Sequence, residues 1–225
     1  MGSAPLKRVG GLAKAATITV VISAVLPLVA SLLALASRDS AQRFLDGEID
    51  RNEFLRSYAP YGIVTFVQGV AGLAAAVLVI VWMYRIAVNH RILHRIGRWG
   101  PGWAIGGWFL PPLLYVIPFL MFRELWRASD PAVPIGGNWR DRPVSPVITV
   151  WFVLYAVVAT VIQVVVTADT FSFGGTERQL ARQITDLSAM TLLSGVVGVA
   201  AGAAFVVMAR GLTARHTALT GEAVR

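Results

Sequence analysis

His90 and His94 stand four residues apart, a spacing that puts two imidazoles on one helical face and can chelate zinc. Arg91 and Arg95 interleave the pair, and no third ligand lies near, so a divalent cation would meet repulsion instead of a closed shell. The same residues read as a basic stripe facing lipid headgroups. His216 is the only other histidine. A second candidate is the charged stretch around Gly47, Ile49, Asp50, Glu53 and Phe54, which matches the second half of a calcium-binding loop. Its first ligand positions would be Gln42 and Phe44, and a phenyl ring cannot coordinate a hard cation. Glu124, Asp130 and Asp141 lie beside Arg123, Arg127, Arg140 and Arg142, where an acid could act on a lipid substrate; salt-bridged surface charges account for them as well. There is no nucleophile elbow, phosphate loop or dinucleotide fingerprint. With no cysteine, disulfides, thiolate metal sites and cysteine nucleophiles are excluded. The expectation is a chain with no catalytic residues, cofactor or resident metal.

The elements that must position these residues are hydrophobic. Apolar residues make up 56% of the sequence and charged residues 14%, against about 25% charged in soluble domains. Taking about 20 apolar residues as one crossing, residues 15–36, 61–88, 147–166 and 187–209 form four spans. Residues 39–58 between the first two carry Phe44, Leu45, Ile49, Phe54 and Leu55 at spacings that give one apolar face, an amphipathic segment on the outer surface. Residues 103–122 are also apolar, yet Pro111, Pro112 and Pro118 remove three helical donors and Gly100, Pro101 and Gly102 precede them. A re-entrant or interfacial segment over 99–131 fits better than a crossing helix. The fold class expected is an all-α integral membrane protein in one domain, residues 1–225.

Charge sets the orientation, because basic residues collect on the cytoplasmic side of short loops. With four crossings, fourteen of the 20 basic residues fall on the side of both termini and six on the other. A fifth crossing at the proline segment would leave nine against eleven, which carries no signal. Both termini are therefore expected in the cytoplasm and the protein in the plasma membrane. Ala34-Leu35-Ala36 resembles a signal-peptidase site, but the apolar run before it is longer than a signal h-region, so a retained anchor is expected. The net charge of +8 is read as a match to anionic headgroups, with no nucleic-acid partner implied.

A faint repeat runs through the spans. Ile18-Thr19-Val20 matches Ile148-Thr149-Val150, and Gly69 to Ala75 lines up with Gly195 to Ala201. The repeat offset also sets His216 opposite His90. A duplication of this kind makes two parallel helix pairs, with two crossings in each. Gly198 and Gly202, with Gly72 and Ala76 at the equivalent positions, allow close helix packing. They form either a homodimer face or a contact between the second and fourth spans of one chain. The polar residues singled out within the second and third spans are Thr65, Gln68, Thr160 and Gln163, and none of these four is ionisable.

One stretch carries a resemblance. Trp82, Arg85 and Asn89 are followed by Arg98-Trp99-Gly100-Pro101-Gly102-Trp103-Ala104-Ile105-Gly106-Gly107-Trp108-Phe109-Leu110-Pro111. Pro118 and Arg123-Glu124-Leu125-Trp126-Arg127-Ala128-Ser129-Asp130-Pro131 come next. This pattern resembles the bacterial membrane family known as domain of unknown function 4328, common in actinobacteria, whose genomes suit a chain with Arg at all but two of its basic positions. The family pattern often has polar residues where this chain has Leu113-Leu114-Tyr115-Val116-Ile117. The resemblance implies a membrane location and no established activity. On the matched residues, Asn89 is expected to cap the second helix or bind hairpin carbonyls, and Pro101, Pro111 and Pro118 to fix bends. Trp103 and Trp108 would sit at headgroup depth, and Glu124, Trp126 and Arg127 would form a short amphipathic helix. With Arg85 and Arg98 these make a basic, Trp-rich platform for lipid headgroups or a protein partner. A membrane scaffold or accessory subunit is the expected function, and a small transporter or channel gated by the proline segment is the alternative.

Overall fold

The computed structural model describes residues 5–110, 115–134, 136–158, 160–161, 176–186 and 188–222. Among them the regular structure is helical: α1 (Gly10–Ala36), α2 (Arg38–Leu45), α3 (Arg51–Ile92), α4 (Trp103–Gly106), α5 (Val116–Ala128), α6 (Pro146–Phe152), a π-helical run (Val153–Val158), α7 (Glu177–Asp186) and α8 (Ser188–Thr220). The described residues form two units. The first draws on Met1–Val20, Leu73–Phe152 and Ala203–Arg225, the second on Val21–Gly72 and Val153–Gly202.

Three helices among the described residues are long and apolar enough to cross a bilayer, not four: Gly10–Ala36, Arg51–Ile92 and Ala189–Thr220. The expected span at 147–166 is the one that differs. Its described part is α6, 7 residues, and the π-helical run, 6 residues, which together fall short of a crossing. Residues 162–166, Gln163 among them, lie outside the described residues. The other spans exceed their apolar runs because hydropathy marks only what suits lipid. The α3 helix starts at Arg51, ahead of the expected 61, and passes through Pro60 without ending.

Two contacts hold the described residues of the second unit together. In the first, α2 and the start of α3 pack on α7: Ala41, Ile49, Phe54, Ala181 and Ile184 form a buried cluster flanked by Phe44, Leu55 and Leu180. The Phe44 and Phe54 rings stack at 4.7 Å. Local chemistry fixes each helix end. Gly47 takes φ 79° as α2 ends, and Glu48 N–H donates to Arg43 O, the left-handed closure that glycine permits. Asp50, suspected above as a calcium ligand, instead accepts from Glu53 N–H at 2.8 Å and caps α3. Thr176 and Gln179 exchange side-chain to backbone bonds at the start of α7, a reciprocal capping box. Arg51 Nε donates to Glu177 Oε1 at 2.7 Å between two exposed side chains, so the pair aligns the helices more than it stabilises them.

The second contact is between α1 and α8, running antiparallel. A methyl group placed on Gly195 would stand 2.7 Å from Leu28 Cα, and one on Gly202 2.5 Å from Ala24 Cβ, while Gly198 faces Ala24 O. Ser31 Oγ donates to Thr191 O at 2.7 Å along the same seam. This corrects the expected pairing. Gly198 and Gly202 meet the first span, not the second, and around Gly72 a Cβ would meet nothing within 4 Å among the described residues. Ala76 is exposed.

In the first unit the core is aromatic. Trp82, Phe122, Trp151 and Phe205, from α3, α5, α6 and α8, meet at centroid distances of 5.2–6.4 Å, in tilted or edge-on pairs. The 99–131 segment enters as the single turn of α4 and then α5. Pro118 is the third residue of α5 and is buried there; in a first turn its missing N–H leaves no bond unmade, so it opens the helix instead of bending the chain. Pro111 lies outside the described residues.

Gly195→Leu is expected to destabilise the protein in detergent by about 1–3 kcal/mol by overpacking, measured as a lower midpoint in a denaturation series. Gly72→Leu, into open space, is expected to leave the midpoint unchanged or slightly raised.

Candidate functional site

Helix α3 ends in a left-handed turn at His94, φ 56°, with Arg95 N–H donating to His90 O and His94 N–H to Arg91 O. This Schellman closure usually uses glycine. It removes the i, i+4 relation between the histidines: His90 is buried at 3% exposure, while His94 is exposed. The partner of His90 is the third histidine. The His90 and His216 rings lie 5.2 Å apart, edge to face.

Between them sits Ser129, at the end of α5. Its hydroxyl is 3.1 Å from His90 Nε2 and 3.4 Å from His216 Nδ1. On its far side His216 Nε2 is 3.0 Å from Asn89 Nδ2. Asn89 is pinned by the N-terminal strap, accepting from Lys7 N–H at 2.8 Å through Oδ1 and donating to Lys7 O at 2.8 Å through Nδ2. Asn89, Ser129 and His216 are each 0% exposed. Asn89 therefore neither caps α3 nor binds hairpin carbonyls; it fastens the strap. Two further side chains hold the same strap. Glu222 accepts from Val9 N–H at 2.9 Å and Gly10 N–H at 3.0 Å, serving the open N–H groups that begin α1, and Arg85 Nη1 donates to Arg8 O at 3.1 Å.

A second polar knot joins the chain leaving α3 to the chain leaving α5. Buried Arg95 donates from Nη1 to Ala128 O and Asp130 O, each at 2.9 Å, and from Nη2 to Val133 O. Burial pulls this guanidinium below its ordinary pKa, with Asp130 opposing, and it stays charged. The Asp130 carboxylate accepts from Arg142 Nε at 2.7 Å and Ala132 N–H at 3.0 Å, and pairs with Arg215 Nη2 at 3.0 Å. Burial works to raise its pKa, but the Arg142 and Ala132 hydrogen bonds and the charges of Arg215 and Arg142 outweigh it and hold the carboxyl below the usual range. Asp130 is thus a buried network centre, not a surface ion pair.

The remaining platform residues follow. Glu124, on α5, makes no ion pair among the described residues; its carboxylate accepts from Arg98 N–H at 2.8 Å and Trp99 N–H at 3.0 Å, clamping the 97–101 loop. Gly97 is required here, since a Cβ would fall on that carboxylate. Pro101 is buried beneath the loop, beside a cavity with room for about one water that His90, Arg95 and Glu124 line. Trp99 and Trp103 meet edge-on at 5.4 Å, and Arg98 lies over the Trp99 ring at 6.0 Å. Arg215 covers Trp126 at 5.1 Å, and that ring fills the space a side chain at Gly211 would need. Trp108 and Arg127 are half-buried, each with a buried side-chain nitrogen lacking a protein partner. Ile96, Trp103, Ile105, Phe109 and Leu110 are 40–68% exposed, with Arg91 and Arg98 exposed among them. Every described platform residue lies in the first unit; Gly72, Gly198 and Gly202 lie in the second.

The family model described as domain of unknown function (DUF4328) matches residues 45–214. The chain belongs to this family. No curated protein and no solved structure matches it. The DUF4328 match takes in α3 to α7 and most of α8, with Asn89, His90, Arg95, Ser129 and Asp130. The strap, His216 and Glu222 fall outside the matched range. Arg95, Ser129 and Glu222 were not evident from the sequence as partners. Glu222 meets Val9 across 213 residues with no local pattern to announce it.

The Asp130 network sets a pH dependence. A carboxyl depressed on folding stabilises the protein above its unfolded value near pH 4, and that stability is lost as pH falls through the folded value. Asp130→Asn is expected to cost about 2–3 kcal/mol at pH 7 and to flatten the loss of stability below pH ~4, as read from denaturation midpoints across a pH series.

Proposed function

We propose that this chain is a non-enzymatic multi-pass membrane protein, a scaffold or accessory subunit. Its exposed loop 96–110 lies at the cytoplasmic headgroup layer and binds anionic lipid. The observation that carries the reading is the composition and stiffness of that loop. Ile96, Trp103, Ile105, Phe109 and Leu110 present apolar surface beside Arg91 and Arg98, the pairing of amphipathic ring and cation that suits a membrane interface. Glu124 clamps the Arg98 and Trp99 N–H groups and Arg95 anchors the chain just before them, which lowers the ordering cost of binding.

The topology behind this is four crossings in two parallel pairs, with both termini cytoplasmic. Helices α1, α3 and α8 each have one end in either unit, and α3 and α8 share a direction. A return of the chain between them is what the fourth crossing would supply, and the short apolar helix Pro146–Val158 supports that reading. The repeat supports the same arrangement. At an offset of 126, Arg51, where α3 begins, falls on Glu177, where α7 begins; Phe54 falls on Leu180 in one apolar cluster, and His90 on its ring partner His216.

The test uses the full chain extracted with a mixture of phosphatidylcholine and phosphatidylglycerol. Phosphatidylglycerol is expected to be enriched several-fold in the copurified lipid, the enrichment falling with salt. Arg98→Gln combined with Trp103→Ala should lose most of it while keeping the denaturation midpoint. No preference over phosphatidylcholine, or one indifferent to the double variant, would dismiss the proposal.

A further inference from the structure

We propose that His216 is a proton-operated clasp: with the ring neutral the N-terminal strap is fastened to the ends of α3 and α8, and a proton taken up by the ring releases it. The argument runs through hydrogen-bond direction. Lys7 N–H, a donor that cannot change, faces Asn89 Oδ1 at 2.8 Å, which fixes the orientation of the side-chain amide. Asn89 Nδ2 must then be what faces His216, and its two hydrogens go to Lys7 O and to His216 Nε2. His216 Nε2 is therefore an acceptor, and the neutral ring carries its hydrogen on Nδ1, toward Ser129 Oγ. Ser129 gives its own hydrogen to His90 Nε2, and no donor faces another donor.

A proton from water added at Nε2 sets N–H against N–H. Turning the Asn89 amide over relieves that clash but places its NH2 against Lys7 N–H and its oxygen away from Lys7 O. Either response breaks the pair of bonds that holds Lys7. Because Asn89 and His216 are 0% exposed, water does not replace what is lost. Reciprocity follows: anything that pulls the strap away makes His216 easier to protonate.

The charged and titratable groups around the pair come from every neighbouring element. The strap supplies Lys7 and Arg8, α3 supplies Arg85 and His90, and the loop after α3 supplies Arg95. Asp130 and Arg142 come from the chain after α5, Arg215 from α8, and Glu222 from the segment that follows it. Glu222 also fastens the strap through its carboxylate, so it needs its own arm in the test. Asp130 titrates in a lower range than histidine and serves as a control.

The chain has no native thiol, so Leu6→Cys, at a position 38% exposed, gives a single attachment site on the strap. A nitroxide is attached to the full-length protein in phosphatidylcholine nanodiscs, and its electron paramagnetic resonance spectrum is recorded in steps from pH ~8 down to pH ~4, through the histidine range and below it. The label should be immobilised at the higher pH, with a mobile fraction that rises roughly threefold or more at the lower one and reverses on return. His216→Gln, whose amide oxygen accepts from Asn89 but takes no proton, should stay immobilised at both. Glu222→Gln and Asp130→Asn should keep the pH step. An unchanged wild-type spectrum, a step that survives in His216→Gln, or one lost in either control overturns the proposal. If His216→Gln does not assemble, imidazole 15N shifts of the wild-type protein decide. A neutral His216 with its hydrogen on Nδ1 at pH ~8 supports the clasp, and an Nε2–H tautomer or a charged ring there refutes it.

Discussion

One guanidinium carries more of the first unit than any other group. Arg95 leaves α3 through a left-handed turn and runs into the carbonyls at the end of α5, so two chain segments share one buried charge. Removing it would strand three carbonyl oxygens, and a buried charge without them would be costlier still, so the two halves of the knot require each other. The loop that follows, the clamp at Glu124 and the position of Ser129 between the histidines all depend on where Arg95 fixes those segments.

Lipid explains why the polar chemistry gathers as it does. A helix inside a bilayer satisfies its own backbone and gains nothing from polar side chains along its length, so these concentrate where helices end and backbone groups open. Here the ends are closed by side chains distant in sequence: Glu222 serves the start of α1, and Arg95 the end of α5. Along the spans, contact is made by small residues instead, Gly195, Gly198 and Gly202 against Ala24 and Leu28.

Much of this was readable from residue order. The apolar runs located α1, α3 and α8, and Thr176 with Gln179 is a capping signature visible in the sequence alone. What residue order concealed was direction and partnership. The span at 147–166 looked like its neighbours by hydropathy, yet a π-helical run interrupts its described part. Gly72 and Gly198 look equivalent, but only one faces another helix, and hydropathy is blind to which side of a helix is covered. Asn89 was legible as polar and important but not as the partner of Lys7, because hydrogen bonds across 82 residues leave no periodic trace.

The glycine seam between α1 and α8 has a consequence for biogenesis. Its two sides are separated by most of the chain, with Leu28 on one and Gly195 on the other. A ribosome feeding this sequence into a membrane delivers α1 long before α8 exists, so α1 must wait in the bilayer with its small-residue face against lipid or an insertion factor. The contact that closes the second unit must wait until α8 has been made. A nascent chain that stalls before Gly195 would hold its earlier helices in the membrane with nothing to complete them.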